Sequence, residues 1–143
     1  MGFFNKILGG QKKELPRLDP ASPTGQDVEK VKDALATIVK QISDPLEVVP
    51  GRDKTFVFIG KPPQQFGMFW IQGGEVRNLT KFAKEKNIPQ AQFQSISEQL
   101  RAAYKNNAPE EKFSTNIGNT LITVLPSDSL KKEVNRIVET LPG

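Results

Sequence analysis

Two neighbouring stretches carry large apolar side chains at consecutive positions, and this restricts the fold more than any other feature. They are Thr55-Phe56-Val57-Phe58-Ile59 and Phe66-Gly67-Met68-Phe69-Trp70-Ile71. Both are short and rich in aromatic and β-branched residues, as strands are. Successive side chains of a strand point to opposite faces. Phe66, Met68 and Trp70 therefore share one face, while Phe69 and Ile71 share the other. A strand that is apolar on both faces has to be covered on both. The chain's own helices, a second copy or a bound partner segment can supply that cover. Gly67 interrupts the second stretch, which marks either a bulge or a close approach of another backbone.

The rest of the chain supplies helices for the purpose. Thr24 and Asp27 have the spacing of a capping box, and Val28, Val31, Leu35, Ile38 and Ile42 then recur at three and four residues. That predicts one helix from Thr24 to Pro45. Thr80–Lys86 reads as a short helix. Pro89 opens another, with Phe93, Ile96, Leu100 and Tyr104 on one face. Leu130, Val134, Ile137, Val138 and Leu141 define a last helix, capped by Ser127 or Asp128. Between these lie a short strand candidate at Leu46–Val49, a hairpin turn at Gly73-Gly74 with a return strand over residues 75–79, and a second hairpin at Gly118-Asn119 joining 112–117 to 120–125.

Strands joined by hairpins predict an α+β domain: an antiparallel sheet of about five strands with helices packed on it, in the order α-βββ-αα-ββ-α. The domain is expected over residues 24–143. Residues 1–23 read as a flexible tail, because Pro16, Pro20 and Pro23 within eight residues oppose a helix. Over residues 25–141 the order of elements resembles that of the small dimeric secretion chaperones, and also that of roadblock/profilin-like adaptors. The first resemblance implies a homodimer that binds extended segments of client proteins.

Composition removes several chemistries. The 143 residues include no Cys and no His. Disulfides, thiolate or imidazole metal sites, and His-dependent nucleophilic triads are excluded. Gly60-Lys61 lacks the upstream glycine and the Ser or Thr of a P-loop. Ser129-Leu130-Lys131-Lys132 matches S-x-x-K only by letter, without its companion motifs. Glu110 and Glu111 have nothing nearby in sequence to raise a carboxyl pKa for acid catalysis. The expectation is a protein without catalytic activity, cofactor or metal. No apolar run reaches the ~20 residues of a membrane span, and no signal peptide pattern opens the chain, so a cytoplasmic location is expected.

A net charge of +4 raises the question of nucleic acid. Four basic and two acidic side chains fall in residues 1–24, and the remainder is nearly balanced along the chain. Lys81, Lys84, Lys86 and Arg101 form the one candidate basic patch, and it shows no interleaved aromatic-basic pattern of the RNA-binding kind. So dispersed a charge argues against a dedicated phosphate surface and leaves weak nucleic-acid binding as an alternative.

The start of the chain is more suggestive. Phe3, Phe4, Ile7 and Leu8 fall on one helical face, with Asn5 and Lys6 elsewhere. Such a segment suits a groove on a partner or a membrane interface. The reading that emerges is a protein-binding module of adaptor or chaperone type. Its candidate anchors are Phe66, Met68 and Trp70, with Phe3, Phe4, Ile7 and Leu8 as a second attachment.

Overall fold

The computed structural model describes residues 15–62 and 64–141. The tail residues Phe3, Phe4, Ile7 and Leu8 lie outside these. The elements are α1 (Pro23–Lys30), α2 (Lys32–Gln41), β1 (Leu46–Val49), β2 (Lys54–Lys61), β3 (Gln65–Gln72), β4 (Glu75–Asn78), α3 (Leu79–Glu85), α4 (Gln90–Asn107), β5 (Phe113–Ile117), β6 (Thr120–Val124) and α5 (Asp128–Glu139).

The fold is α+β, with a six-stranded sheet in the order β4-β3-β2-β1-β6-β5. The expectation of about five antiparallel strands needs correction on two points. The weakest strand candidate, Leu46–Val49, is a full member and lies inside the sheet, with Val48 and Val49 fully buried. It pairs antiparallel with β2 but parallel with β6, so the sheet is mixed. The parallel contact follows from the path of the chain. After β4 it crosses the sheet through α3 and α4, and it returns as the β5–β6 hairpin on the far side of β1. A parallel pair requires a long crossover of this kind.

Helices cover both faces, as the apolar pattern of β2 and β3 demands. On one face Phe56, Phe58, Met68 and Trp70 pack with residues of α3, α4 and α5, among them Leu79, Ile96, Leu100 and Val134. On the other, Val48, Val57, Phe69 and Ile71 pack with Val28, Leu35 and Ile38 of α1 and α2.

The element ends have local causes. The first helix begins two residues earlier than expected. Ser22, not Thr24, is the cap, its Oγ accepting from Gly25 N at 3.0 Å, and Pro23 occupies the first helical position. The helix is also broken at Val31, whose backbone leaves helical geometry at φ −111° and ψ 14°. The apolar spacing runs on through the break, so both pieces face the same core. The α3 helix ends in a Schellman motif. Ile88 N donates to Ala83 O at 2.9 Å, Asn87 N donates to Lys84 O at 3.2 Å, and Asn87 adopts φ +55°. Ser127 caps α5, accepting from Leu130 N at 3.1 Å.

Part of the stretch expected to be linker is tied to the sheet. Arg17 forms a parallel bridge with Ser114. Ser114 N donates to Pro16 O and Leu18 N donates to Ser114 O, both at 2.9 Å. The chain therefore enters the described structure along the outer edge of β5.

Candidate functional site

The residues expected to anchor a partner are separated by the fold. Met68 and Trp70 are 2% and 3% exposed and lie under α3 and α4. The indole of Trp70 meets the Phe82 ring edge-on at 5.6 Å. Within the single chain this face of β3 is core. Phe66 is half-buried at the tip of the β2–β3 hairpin, edge-on to Phe58 at 5.6 Å.

The candidate basic patch also divides. Lys81 and Lys84 are exposed on α3, and Lys86 follows it with its ammonium 5.7 Å from the centre of the Phe82 ring. Arg101 of α4 instead belongs to the hairpin tip. It pairs with Glu98, donates through Nη2 to Gln64 O at 3.0 Å, and lies over the Phe66 ring at 5.9 Å. These contacts make Arg101 a brace for the hairpin.

Beside that tip, on the α1–α2 face, is an open apolar groove. Its volume is ≈ 550 Å³, and it is lined by Ile42, Asp44, Pro45, Ile59, Gly60, Phe66, Gly67 and Phe69. Three parts of the chain build it: the exit of α2, the far end of β2 and the first half of β3. Ile59 and Phe69 form the floor and are 8% and 9% exposed. Gly67 lies opposite Ile59 in the β2–β3 ladder.

Gly67 is the informative residue. The ladder runs in step from Lys54↔Gln72 to Lys61↔Gln65, so there is no bulge at this position. The φ of Gly67 is outside the left-handed region, so the backbone does not require glycine. A Cβ placed there would meet nothing within 4 Å among the described residues, so packing against them does not require it either. Gly25 differs: there a Cβ would stand 2.1 Å from Asp19 O. Of the two meanings of a mid-strand glycine, the regular register eliminates the bulge.

A polar contact stands inside the opposite layer. The Tyr104 hydroxyl of α4 donates to Glu47 Oε1 of β1, and the Tyr104 ring packs edge-on to Phe58 at 5.4 Å. Burial is the main cause that raises the Tyr104 pKa well above the usual phenol value. The hydrogen bond and the negative charge of Glu47 push it the same way. The pair ties α4 to the middle of the sheet.

Neither a family model, nor a curated protein, nor a solved structure matches this chain. The likeness to chaperone and adaptor folds therefore rests on element order alone. Among the described residues, no helix is long and apolar enough to cross a membrane, and no group of three or more Asp or Glu side chains is placed to hold a metal ion.

Sequence reasoning singled out Gly67 and Phe66 but missed Ile42, Asp44 and Pro45. Ile42 reads as the last core position of a helical stripe, and Pro45 as the residue that stops the helix. Nothing in the local pattern says that both fold back beside a strand more than twenty residues further on.

Proposed function

We propose that this chain is a non-catalytic protein-binding module, and that its contact site is the groove beside Gly67. A partner inserts an apolar side chain above Gly67, onto Ile59 and Phe69, with Ile42 and Pro45 as the flanking wall. Phe66 contributes to the rim, held by Phe58 and Arg101. Met68 and Trp70 serve the site from beneath by fixing β3 against α3 and α4.

The observation that carries this reading is the unfilled space at Gly67. Glycine inside a strand destabilises it relative to alanine by roughly 0.5–1 kcal/mol. Here neither a turn nor a close contact with the described residues gives anything in return. A partner's side chain seated in the notch supplies the missing reason. Aromatic and aliphatic anchors in such pockets carry most of the energy of peptide recognition.

The test uses peptides selected from a random display library on the full chain. They are titrated against the wild type and against Gly67→Val, which fills the notch. The reading expects the variant to be at least as stable as the wild type and to bind the peptides about tenfold or more weakly, as for other buried anchors. Equal affinity for the two proteins removes the groove as the site.

A further inference from the structure

We infer that β4 is a self-association edge. A second copy of this chain pairs antiparallel with it about a twofold axis at Val76, and the two sheets join into one. This goes beyond the groove beside Gly67 and does not depend on it.

The sheet ends on β4 at one side and on β5 at the other. The β5 edge is occupied at Ser114, which bridges to Arg17 and exchanges backbone hydrogen bonds with Pro16 and Leu18. Among the described residues nothing pairs with the outer side of β4. Its one neighbour is β3, and no backbone bond outside the helices and strands involves residues 75–77. The unpaired N–H and C=O groups of such an edge are a template for another strand. β4 has no proline, and its ladder with β3 runs in step from Phe69↔Asn78 to Gln72↔Glu75, with no bulge to turn a strand away.

Charge is the other device by which edges repel strands, and here it selects one. Arg77 lies opposite Trp70, so Arg77 and Glu75 are on the α3 side of the sheet. Val76 lies opposite Ile71 on the other side and is 36% exposed. A twofold axis normal to the sheet returns each face to itself, and residues opposite one another across an antiparallel pair share a face. The axis must therefore pass through a residue and not between two. Centred on Glu75 it would set two carboxylates opposite each other, and centred on Arg77 two guanidinium groups. Centred on Val76 it sets Glu75 of each copy opposite Arg77 of the other and joins the two exposed valines. Glu75 and Arg77 already pair within the chain at 3.0 Å, so the contact builds a cluster of four alternating charges.

The cleft beside this edge has the same balance. Its charged lining residues are Glu75 and Glu85, Arg77 and Lys81. A twofold contact places a patch against itself, so a patch of one sign would repel its copy, and this one does not. The start of the chain does not offer the same complement. Residues 1–13 contain no Asp or Glu, so none of them can face Arg77 with an opposite charge. Glu14 is bonded to Leu15, whose carbonyl accepts from Ser114 at the opposite edge of the sheet. Three residues of each strand make a small interface, so the dimer is weak and reversible.

The experiment is sedimentation velocity of the full chain over a concentration series. It compares the wild type with Val76→Lys, Glu75→Arg, Arg77→Glu and the double exchange Glu75→Arg/Arg77→Glu. All three side chains are exposed, so the variants keep the fold, which circular dichroism checks. The wild type is expected to dimerise as concentration rises. Val76→Lys puts two ammonium groups at the axis, and each single exchange puts like charges opposite each other twice. Each should weaken dimerisation about tenfold or more. The double exchange restores both pairs and should dimerise like the wild type. An equimolar mixture of Glu75→Arg and Arg77→Glu should associate where neither does alone. A wild type that stays monomeric at every concentration overturns the inference. So does dimerisation that survives Val76→Lys, which would mean another surface joins the copies. Single exchanges that weaken the dimer without recovery in the double exchange or the mixture overturn it as well, because the charges then do not face each other.

Discussion

Gly67→Ala should make the folded chain more stable. Glycine in a strand interior loses more backbone entropy on folding than alanine does, which amounts to roughly 0.5–1 kcal/mol. That gain is usually lost where the new methyl group clashes or the backbone needs positive φ. Neither applies at Gly67, where a Cβ meets nothing within 4 Å among the described residues. For a chain of this length, 1 kcal/mol moves Tm by roughly 3–4 °C, so the expected rise is about 2–4 °C. Differential scanning calorimetry measures it, and urea unfolding checks that the m-value is unchanged. Gly25→Ala is the internal control. Its Cβ would stand 2.1 Å from Asp19 O and 2.8 Å from Pro20 Cα, both backbone atoms. Helix propensity favours alanine there by about 1 kcal/mol. A backbone clash this close outweighs that, so Tm should fall. If Gly67→Ala lowers Tm, some part of the chain already fills the notch, and the argument for a partner there fails.

Other consequences follow from the same contacts. Trp70→Ala should destabilise the fold by about 3–5 kcal/mol, because the side chain is a buried core element rather than a free anchor; urea unfolding followed by circular dichroism measures this, and a stably folded variant would move Trp70 out of the core. Asn87→Ala should cost about 1 kcal/mol, while Asn87→Gly should cost nothing, since the Schellman turn needs φ +55°; equal losses in thermal melts of the two variants would contradict the motif. Tyr104 is the only tyrosine, so phenolate absorbance near 295 nm reports it alone. Its pKa is raised in the folded state, so its contribution to stability is complete below the unfolded value of about 10 and is lost as pH rises above it. The folded chain should show no phenolate at pH ~10.5, and Tyr104→Phe should flatten the alkaline loss of stability; an ordinary titration near 10 would show that the Tyr104 hydroxyl is not buried in solution as the structure has it.

Legibility from the sequence tracked how local each determinant was. The double-sided strands 55–59 and 66–71 announced their own burial, and α5 was plain from Leu130, Val134, Ile137 and Val138. Gly73 and Gly74, at φ +59° and +81°, did what a two-residue hairpin turn requires. The interior position of β1 was not legible. Leu46-Glu47-Val48-Val49 is four residues long and includes a carboxylate, and only pairing with β2 and β6 makes it a strand. The break at Val31 was hidden because the apolar spacing continues through it. Ser22 could have been read as the cap, since Pro23 after it favours the first helical position more than Thr24 favours the cap. The groove was half legible. Gly67 stood out as a strand position without a side chain, but the facing wall comes from Ile42 and Pro45, which only the tertiary fold brings to it.

The most direct measurement of the central claim is chemical-shift mapping. Uniformly ¹⁵N-labelled full-length chain is titrated with a display-selected peptide, and amide shifts are followed residue by residue. The account predicts that the largest changes fall on Ile42, Ile59, Gly60, Gly67 and Phe69, and that they vanish in Gly67→Val. Changes concentrated on α3 and α4, around Lys84, Ile88 and Phe93, with Gly67 unmoved, would contradict it.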